Sequence, residues 1–303
     1  MQSSTPHSAP PPRAWIGLLM ASLGALGFSG KAIIVKLGYR HGADAITLLG
    51  LRMLFALPLF LGLAWWSGRG KASLTRRDAW AVLGLGFSGY YLASFLDFAG
   101  LAYVSAGFER LILYLNPTLV LLLGWLLLRR RVSGRQLLAL GVSYAGVLWV
   151  FAQELHWQGE HAWLGALLVL GSAISYALYL LYSGEEVHRL GAMRLTGLAT
   201  SVACALCVGQ YLLLRGPQAL VQVPLPVVQL SLLNALLSTF APVLLVMLAI
   251  ERVGAAVAAQ TGMLGPMATI ALGAWLLDEP LTAGVLGGTV LVLGGILLLN
   301  RWR

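Results

Sequence analysis

Apolar residues in this chain come in long blocks, not in the narrow stripes of a soluble amphipathic helix. Ten runs stand out, at 14–37, 45–66, 79–102, 105–128, 135–152, 162–183, 194–214, 227–250, 254–277 and 283–300. A helix needs roughly 20 predominantly apolar residues to cross the hydrocarbon core of a bilayer. The breaks between runs are short and carry turn chemistry, as in Gly68-Arg69-Gly70, Gly159-Glu160-His161 and Arg215-Gly216-Pro217. At Ser105 the break is almost absent, so the third and fourth runs should form a tight helical hairpin. The pattern predicts an all-α integral membrane protein of ten transmembrane helices. Residues 1–13, rich in Pro and Ser, read as a disordered tail. The run from Ala14 holds Lys31 and Lys36 and lacks a convincing small-residue cleavage site, so it reads as the first spanning helix and not a removed signal.

The runs repeat. Sliding the sequence by 149 residues places Ala145-Gly146-Val147-Leu148 on Gly294-Gly295-Ile296-Leu297, Pro117 on Pro266, Gly124 on Gly273, and the turn Arg40-His41-Gly42-Ala43 on Arg189-Leu190-Gly191-Ala192. The chain therefore divides into 14–152 and 162–303. Each half holds five helices, an odd number, so the second must enter the membrane the other way up. Loop charge agrees, because Arg129-Arg130-Arg131 corresponds to Asp278-Glu279-Pro280. Two inverted five-helix repeats around a central cavity form an architecture suited to alternating access.

Composition adds what is excluded. The chain is 59% apolar and 10% charged, against about 25% charged residues in a soluble domain. Its surroundings are thus the lipid bilayer, and no length remains for a soluble catalytic domain. The net charge of +9 sits in short loops such as Arg76-Arg77 and Arg129-Arg130-Arg131. That is the positive-inside pattern and not a nucleic-acid face. Placing the N-terminus in the cytoplasm puts nearly all Lys and Arg of the loops inside and leaves only Arg40 and Arg215 clearly outside. Both termini are expected to be cytoplasmic, in a cell inner (plasma) membrane. Cys204 and Cys207 lie inside an apolar run with no histidine nearby and read as packing residues. All five histidines fall in loops or the tail, so no metal site and no cofactor are expected. Gly84-x-Gly86-x-x-Gly89 matches a dinucleotide fingerprint only as text, since no strand precedes it. Gly284-x-x-x-Gly288 could serve a dimer contact or close packing within one bundle; monomer and homodimer both stay open. Glu185-Glu186 lies near a loop and reads as solvated.

The closing segment of each half resembles the EamA domain of the drug/metabolite transporter superfamily. The first half carries Leu115-Asn116-Pro117-Thr118, Leu126-Leu127-Leu128, Val132-Ser133, Gln136-Leu137 and Ala145-Gly146-Val147; the second carries Leu264-Gly265-Pro266, Trp275 through Thr282 and Gly294-Gly295-Ile296. Lys36 and Leu51-Arg52 also match. The resemblance implies ten helices around a central cavity, cytoplasmic termini, and export of amino acids or other metabolites. Arg129-Arg130-Arg131 departs from it, because an acidic residue is usual there. The resemblance does not fix the substrate.

A charged side chain at the bilayer centre costs about 2.5–3.5 kcal/mol on insertion scales, so each is a functional candidate. Six occur, all in the first half: Lys31, Lys36, Arg52, Asp97, Glu109 and Arg110. Four positive against two negative charges favour a carboxylate-bearing substrate. The structural alternative pairs Asp97 and Glu109 with Arg52 and Arg110 and lets Lys36 snorkel to the interface. Polar stripes at helical spacing add Tyr90 and Ser94 beside Asp97, Tyr176 and Tyr179 beside Ser172 and Ser183, Asn234 beside Ser238, and Gln260 before Pro266. Tyr114 joins them as a cavity candidate. These residues either line a pathway or hydrogen-bond between helices. Pro117 and Pro266 interrupt their helices and are candidates for gating. Lys31, Arg52 and Asp97 are the leading contacts for a small-molecule substrate. Lys36, Asp97, Glu109 and Arg110 form a candidate coupling or charge network, with proton coupling through Asp97 or Glu109 open. The reading is a secondary active exporter. Uptake or exchange of an anionic metabolite is the alternative. A membrane-embedded enzyme would need a nucleophile–base pair or metal cluster at membrane depth, and neither is found.

Overall fold

A computed structural model describes residues 14–129 and 131–301. The tail 1–13, Arg130 and residues 302–303 lie outside the described residues, as do the side chains of Glu185 and Gln260. The described chain is helical and contains no strand. Its helices are α1 (Ala14–Arg40), α2 (Ala45–Gly68), α3 (Arg76–Leu101), α4 (Ala106–Leu128), α5 (Gly134–Gln158), α6 (Ala162–Leu190), α7 (Ala192–Arg215), α8 (Leu225–Val253), α9 (Leu264–Leu277) and α10 (Ala283–Arg301). Among the described residues, nine of these are long and apolar enough to cross a membrane, and α9 is a shorter apolar helix. A short helical segment, Ala255–Gly262, precedes it. The protein is a multi-pass membrane protein, and the many exposed Leu and Trp side chains, such as Trp80, Trp125 and Trp275, face the lipid.

Helix starts follow local chemistry. Asp44 caps α2 by accepting from Thr47 N at 2.8 Å, and Thr75 with Asp78, and Ser133 with Gln136, form capping boxes. Four irregularities interrupt the spans. α3 and α8 each carry a π-helical stretch, Phe87–Leu92 and Leu236–Phe240. α4 breaks between Ala106–Leu113 and Asn116–Leu128, and Met263 separates α9 from the segment before it. Pro117 and Pro266 therefore do not kink a continuous helix midway. Each sits in the first turn of the piece that follows a break, where its missing N–H has no intrahelical partner to lose.

These local features recur at the 149-residue spacing. The two π stretches begin at Phe87 and Leu236. The left-handed residues Arg129 (φ 51) and Asp278 (φ 60) close α4 and α9. Gly42 (φ 78) and Gly191 (φ 84) turn the chain at corresponding corners.

Contacts are reciprocal as well. α5 crosses α10, and a Cβ on Gly146 would lie 2.7 Å from Gly288 O while one on Gly295 would lie 2.7 Å from Ala139 O. Ser143 donates to Val292 O at the same crossing. α2 packs on α7 through Gly197, which meets the Ala64 backbone. α3 meets α6 through Gly100 and Gly165, and α1 meets α8 through Gly17 and Gly24.

Carbonyl oxygens this close leave no room for a side chain. Gly146→Leu or Gly295→Leu should each destabilise the protein by about 1–3 kcal/mol, read as a lower thermal midpoint in detergent. Gly141→Leu, where a Cβ meets nothing within 4 Å, should not. Equal midpoints for all three would contradict the crossing.

Candidate functional site

The helices enclose a central cavity of about 390 Å³. α1, α2, α3, α4, α6, α7 and α8 contribute to its wall. Lys31, Arg52, Tyr90, Ser94, Asp97, Arg110, Tyr114, Tyr176 and Ser238 all line it. Tyr179 and Asn234 do not; they are buried behind the wall. Tyr179 bonds to Tyr90 through their hydroxyls at 3.2 Å and stacks on Tyr176 at 5.5 Å. Gly89 permits this, since a Cβ there would lie 2.4 Å from the Tyr179 ring. Tyr179 thus holds the two aromatic rings that face the cavity.

The charges pair differently from the sequence expectation. Lys31 reaches from α1 to both acids, pairing with Asp97 Oδ2 on α3 and with Glu109 Oε1 on α4 at 2.8 Å. Glu109 is fully buried and Asp97 is 3% exposed. Arg52 is not their hydrogen-bond partner. Its Nε donates to Thr239 Oγ1 at 2.8 Å, and its guanidinium lies 5.1 Å from the centre of the Phe98 ring. Thr239 is available because the π stretch turns its hydroxyl back to Asn234 O. Arg110 lies over the Tyr114 ring at 5.7 Å. Among the described residues, Arg52 Nη1 and Arg110 Nε are buried without a hydrogen-bond partner. Lys36 does not snorkel, nor does it bond into the Asp97–Glu109 group. It stands 3.8 Å from Glu279.

One end of the cavity is sealed where α1 ends. Glu279 accepts from Ala106 N at 2.7 Å and Gly107 N at 3.3 Å, and Glu154 accepts from Ser105 N at 3.0 Å and from its hydroxyl. Ser105 Oγ in turn accepts from Phe108 N at 3.1 Å. All the free N–H groups at the start of α4 are thereby satisfied, and negative charge sits at the positive end of its dipole. Tyr39 donates to Phe98 O, Arg40 to Leu277 O, and Arg215 pairs with Asp44 at the same end. The break in α4 is held by Tyr114, whose hydroxyl donates to Gly262 O. At the other end a second space of about 400 Å³, bordered by Trp66, Ala192 and Glu251, shares Met247 with the cavity wall.

Sequence reasoning missed Glu154 and Glu279. Glu154 lies beyond the apolar run that predicts its helix, although α5 extends past it. Glu279 lies in a loop, and its partners belong to the other half of the chain. The hydroxyls Thr196, Thr200 and Thr239 also line the cavity, and Thr residues inside apolar runs give little signal. Cys204 and Cys207 are free and buried, with Cys204 Sγ 3.5 Å from Met53 Sδ.

The profile of the EamA-like transporter family matches residues 15–152 and 163–301. The chain belongs to that family. Among relatives of this EamA-like protein, an uncharacterized transporter of Bacillus subtilis (strain 168), YcbK, is 32% identical over 88% of this chain and 86% of its own length. The uncharacterized transporter sll1319 of Synechocystis sp. is 24% identical over 94% of this chain and 93% of its own. A crystal structure of a protein superposes with a TM-score of 0.62 at 16% identity, over 94% of this chain and 96% of that one, which supports the fold alone.

The capping role of Glu279 can be tested on stability. Glu279→Ala leaves two buried N–H groups without acceptors, at about 1–3 kcal/mol each, and should lower the thermal midpoint clearly. Glu279→Gln keeps one acceptor oxygen and should fall between. A Glu279→Ala protein as stable as the parent would remove Glu279 from the sealed end.

Proposed function

We propose that the protein is a secondary active transporter that moves a small polar metabolite bearing a carboxylate, an amino acid or an organic anion, by alternating access. The observation that carries the reading is the pair of buried guanidinium donors on the cavity wall, Arg52 Nη1 and Arg110 Nε, which have no partner among the described residues. A buried charged donor without an acceptor is costly, and a carboxylate is the acceptor whose geometry a guanidinium fits best. The cavity volume suits a small metabolite, and Phe28, Tyr90 and Tyr176 give it an aromatic wall.

The recurrence of π stretches, helix breaks and glycine crossings at a 149-residue spacing supports two inverted five-helix repeats, 14–152 and 162–303. Ala255–Gly262 and α9 together would make the tenth span. In such a pair of halves, a seal at one end and an opening at the other exchange when the halves exchange conformations. Loop charge supports cytoplasmic termini in a bacterial-type inner membrane, an orientation in which the open end faces inward. Export is the direction the family resemblance implies.

The test is flux in proteoliposomes across a panel of amino acids and organic anions, under gradients of both directions. At least one carboxylate compound should move, with export-type flux dominant. Arg52→Gln and Lys31→Ala should each reduce that flux about tenfold or more, because a lost hydrogen bond to a charged group is worth about 1.5–3 kcal/mol. No flux of any carboxylate compound, or parental flux in both variants, would overturn the proposal.

A further inference from the structure

Lys31 does more than neutralise one acid. Its single ammonium sits between two buried carboxyl groups, and each of these keeps a buried oxygen, Asp97 Oδ1 and Glu109 Oε2, with no hydrogen-bond donor among the described residues. Two carboxylates and one ammonium leave one negative charge in excess in a site surrounded by apolar side chains. Phe98, Leu101, Phe108 and Leu111, on the same helices as the two acids, are fully or almost fully buried. The charges that face the site come from several elements: Lys36 of α1, Arg52 of α2 and Arg110 of α4, with Glu154 of α5 and Glu279 of the loop before α10 lying beyond Lys36. The remaining ionisable side chains near it are Tyr39, Tyr103 and Tyr114 and the thiols of Cys204 and Cys207 on α7. Lys36 is engaged by Glu279, and Glu154 by Ser105. Among the described residues, only the guanidinium groups of Arg52 and Arg110 are left to balance the second acid, and these are the groups that a carboxylate in the cavity would engage.

We propose that Asp97 and Glu109 form a one-proton binding site, reached from the cavity past Lys31 and Asp97. The proton comes from cavity water and goes to one of the two donorless oxygens. The resulting carboxyl O–H lies beside the other acid, and the excess negative charge disappears. A carboxylate substrate that engages Arg52 and Arg110 removes their balancing charge from the pair and so strengthens proton binding. Proton and carboxylate then bind together, not in competition, so a carboxylate moving outward down its own concentration gradient carries the proton out with it. This coupling rests on the transport reading above; the proton site itself does not. Glu109 is placed for such a role, because it is off the cavity wall and one turn from the sealed start of α4.

The experiment is an acid titration of the full-length protein in lipid bilayers, followed by infrared difference spectroscopy of the carboxyl C=O stretch, with no substrate present. The parent should gain the band of one buried protonated carboxyl that is absent from Glu109→Gln and from Asp97→Asn, because either variant leaves one acid with one ammonium. Lys31→Met should gain twice the parental band, because both acids then require protons. A purely structural salt bridge would give neither the loss nor the doubling. Absence of the band in the parent, its persistence in a folded Glu109→Gln or Asp97→Asn protein, or an unchanged band in a folded Lys31→Met protein would overturn the proposal. A positive result with no flux in the proteoliposome panel would leave the proton site standing and remove the transport reading.

Discussion

Inside a bilayer, an unpaired backbone N–H or an isolated charge has no water to turn to, so each must find its partner within the protein. Most features of this molecule follow from how it meets that constraint at α4. The helix starts within the membrane-spanning bundle, breaks before Pro117, and carries Glu109 and Arg110 between the two points. Its first N–H groups need acceptors, and Glu154 and Glu279 supply them from α5 and from the far half of the chain. Its buried acid needs a cation, and Lys31 of α1 supplies it. Its broken turn needs a tie, and the Tyr114 hydroxyl supplies one to Gly262 O. Each solution joins α4 to another element, so one irregular helix ties together the sealed end and the cavity floor.

Glycine does the complementary work where polar groups are scarce. At α5–α10, α3–α6 and α1–α8, close contact depends on positions without a side chain, with carbonyl oxygens 2.7–3.0 Å from where a Cβ would sit. With no hydrophobic drive between helices in lipid, close packing of small residues is a main source of attraction. The polar cluster can therefore sit in one half of the molecule without the other half losing its grip. That division matches the chemistry of the cavity, where the cations and acids come from α1 to α4 and the phenol and hydroxyl groups of Tyr176, Thr196, Thr200 and Thr239 come from α6 to α8.

Much of this was legible in the sequence because bilayer thickness and hydrogen-bond satisfaction constrain local patterns strongly. Apolar runs located the helices with ends off by up to seven residues, as where the run 162–183 becomes Ala162–Leu190, and the 149-residue spacing paired Pro117 with Pro266. The cavity position of Lys31, Arg52, Asp97 and Tyr90 followed from the cost of placing them anywhere else. Pairing was not legible. Asp97 and Glu109 could be matched with Arg52 and Arg110 by charge alone, whereas the structure gives both acids to Lys31, because that choice depends on how α1 packs beside α3 and α4. Glu279 was hidden for a similar reason, since its partners are far away in the chain and its own surroundings read as an outside loop. The π stretches left no mark in apolar periodicity, yet one of them turns Thr239 back to Asn234 O, where Thr239 accepts the Arg52 guanidinium.

The central claim is that a charged cluster lies at the floor of a cavity open at the end where α1 begins and sealed where it ends. A single cysteine at Ser94, which lines the cavity beside Asp97, tests this in a protein whose Cys204 and Cys207 are replaced by alanine. Labelling with a membrane-impermeant maleimide in vesicles of known orientation should occur from the face where α1 begins and be much slower from the opposite face. Labelling confined to the opposite face, or none from either, would contradict the account.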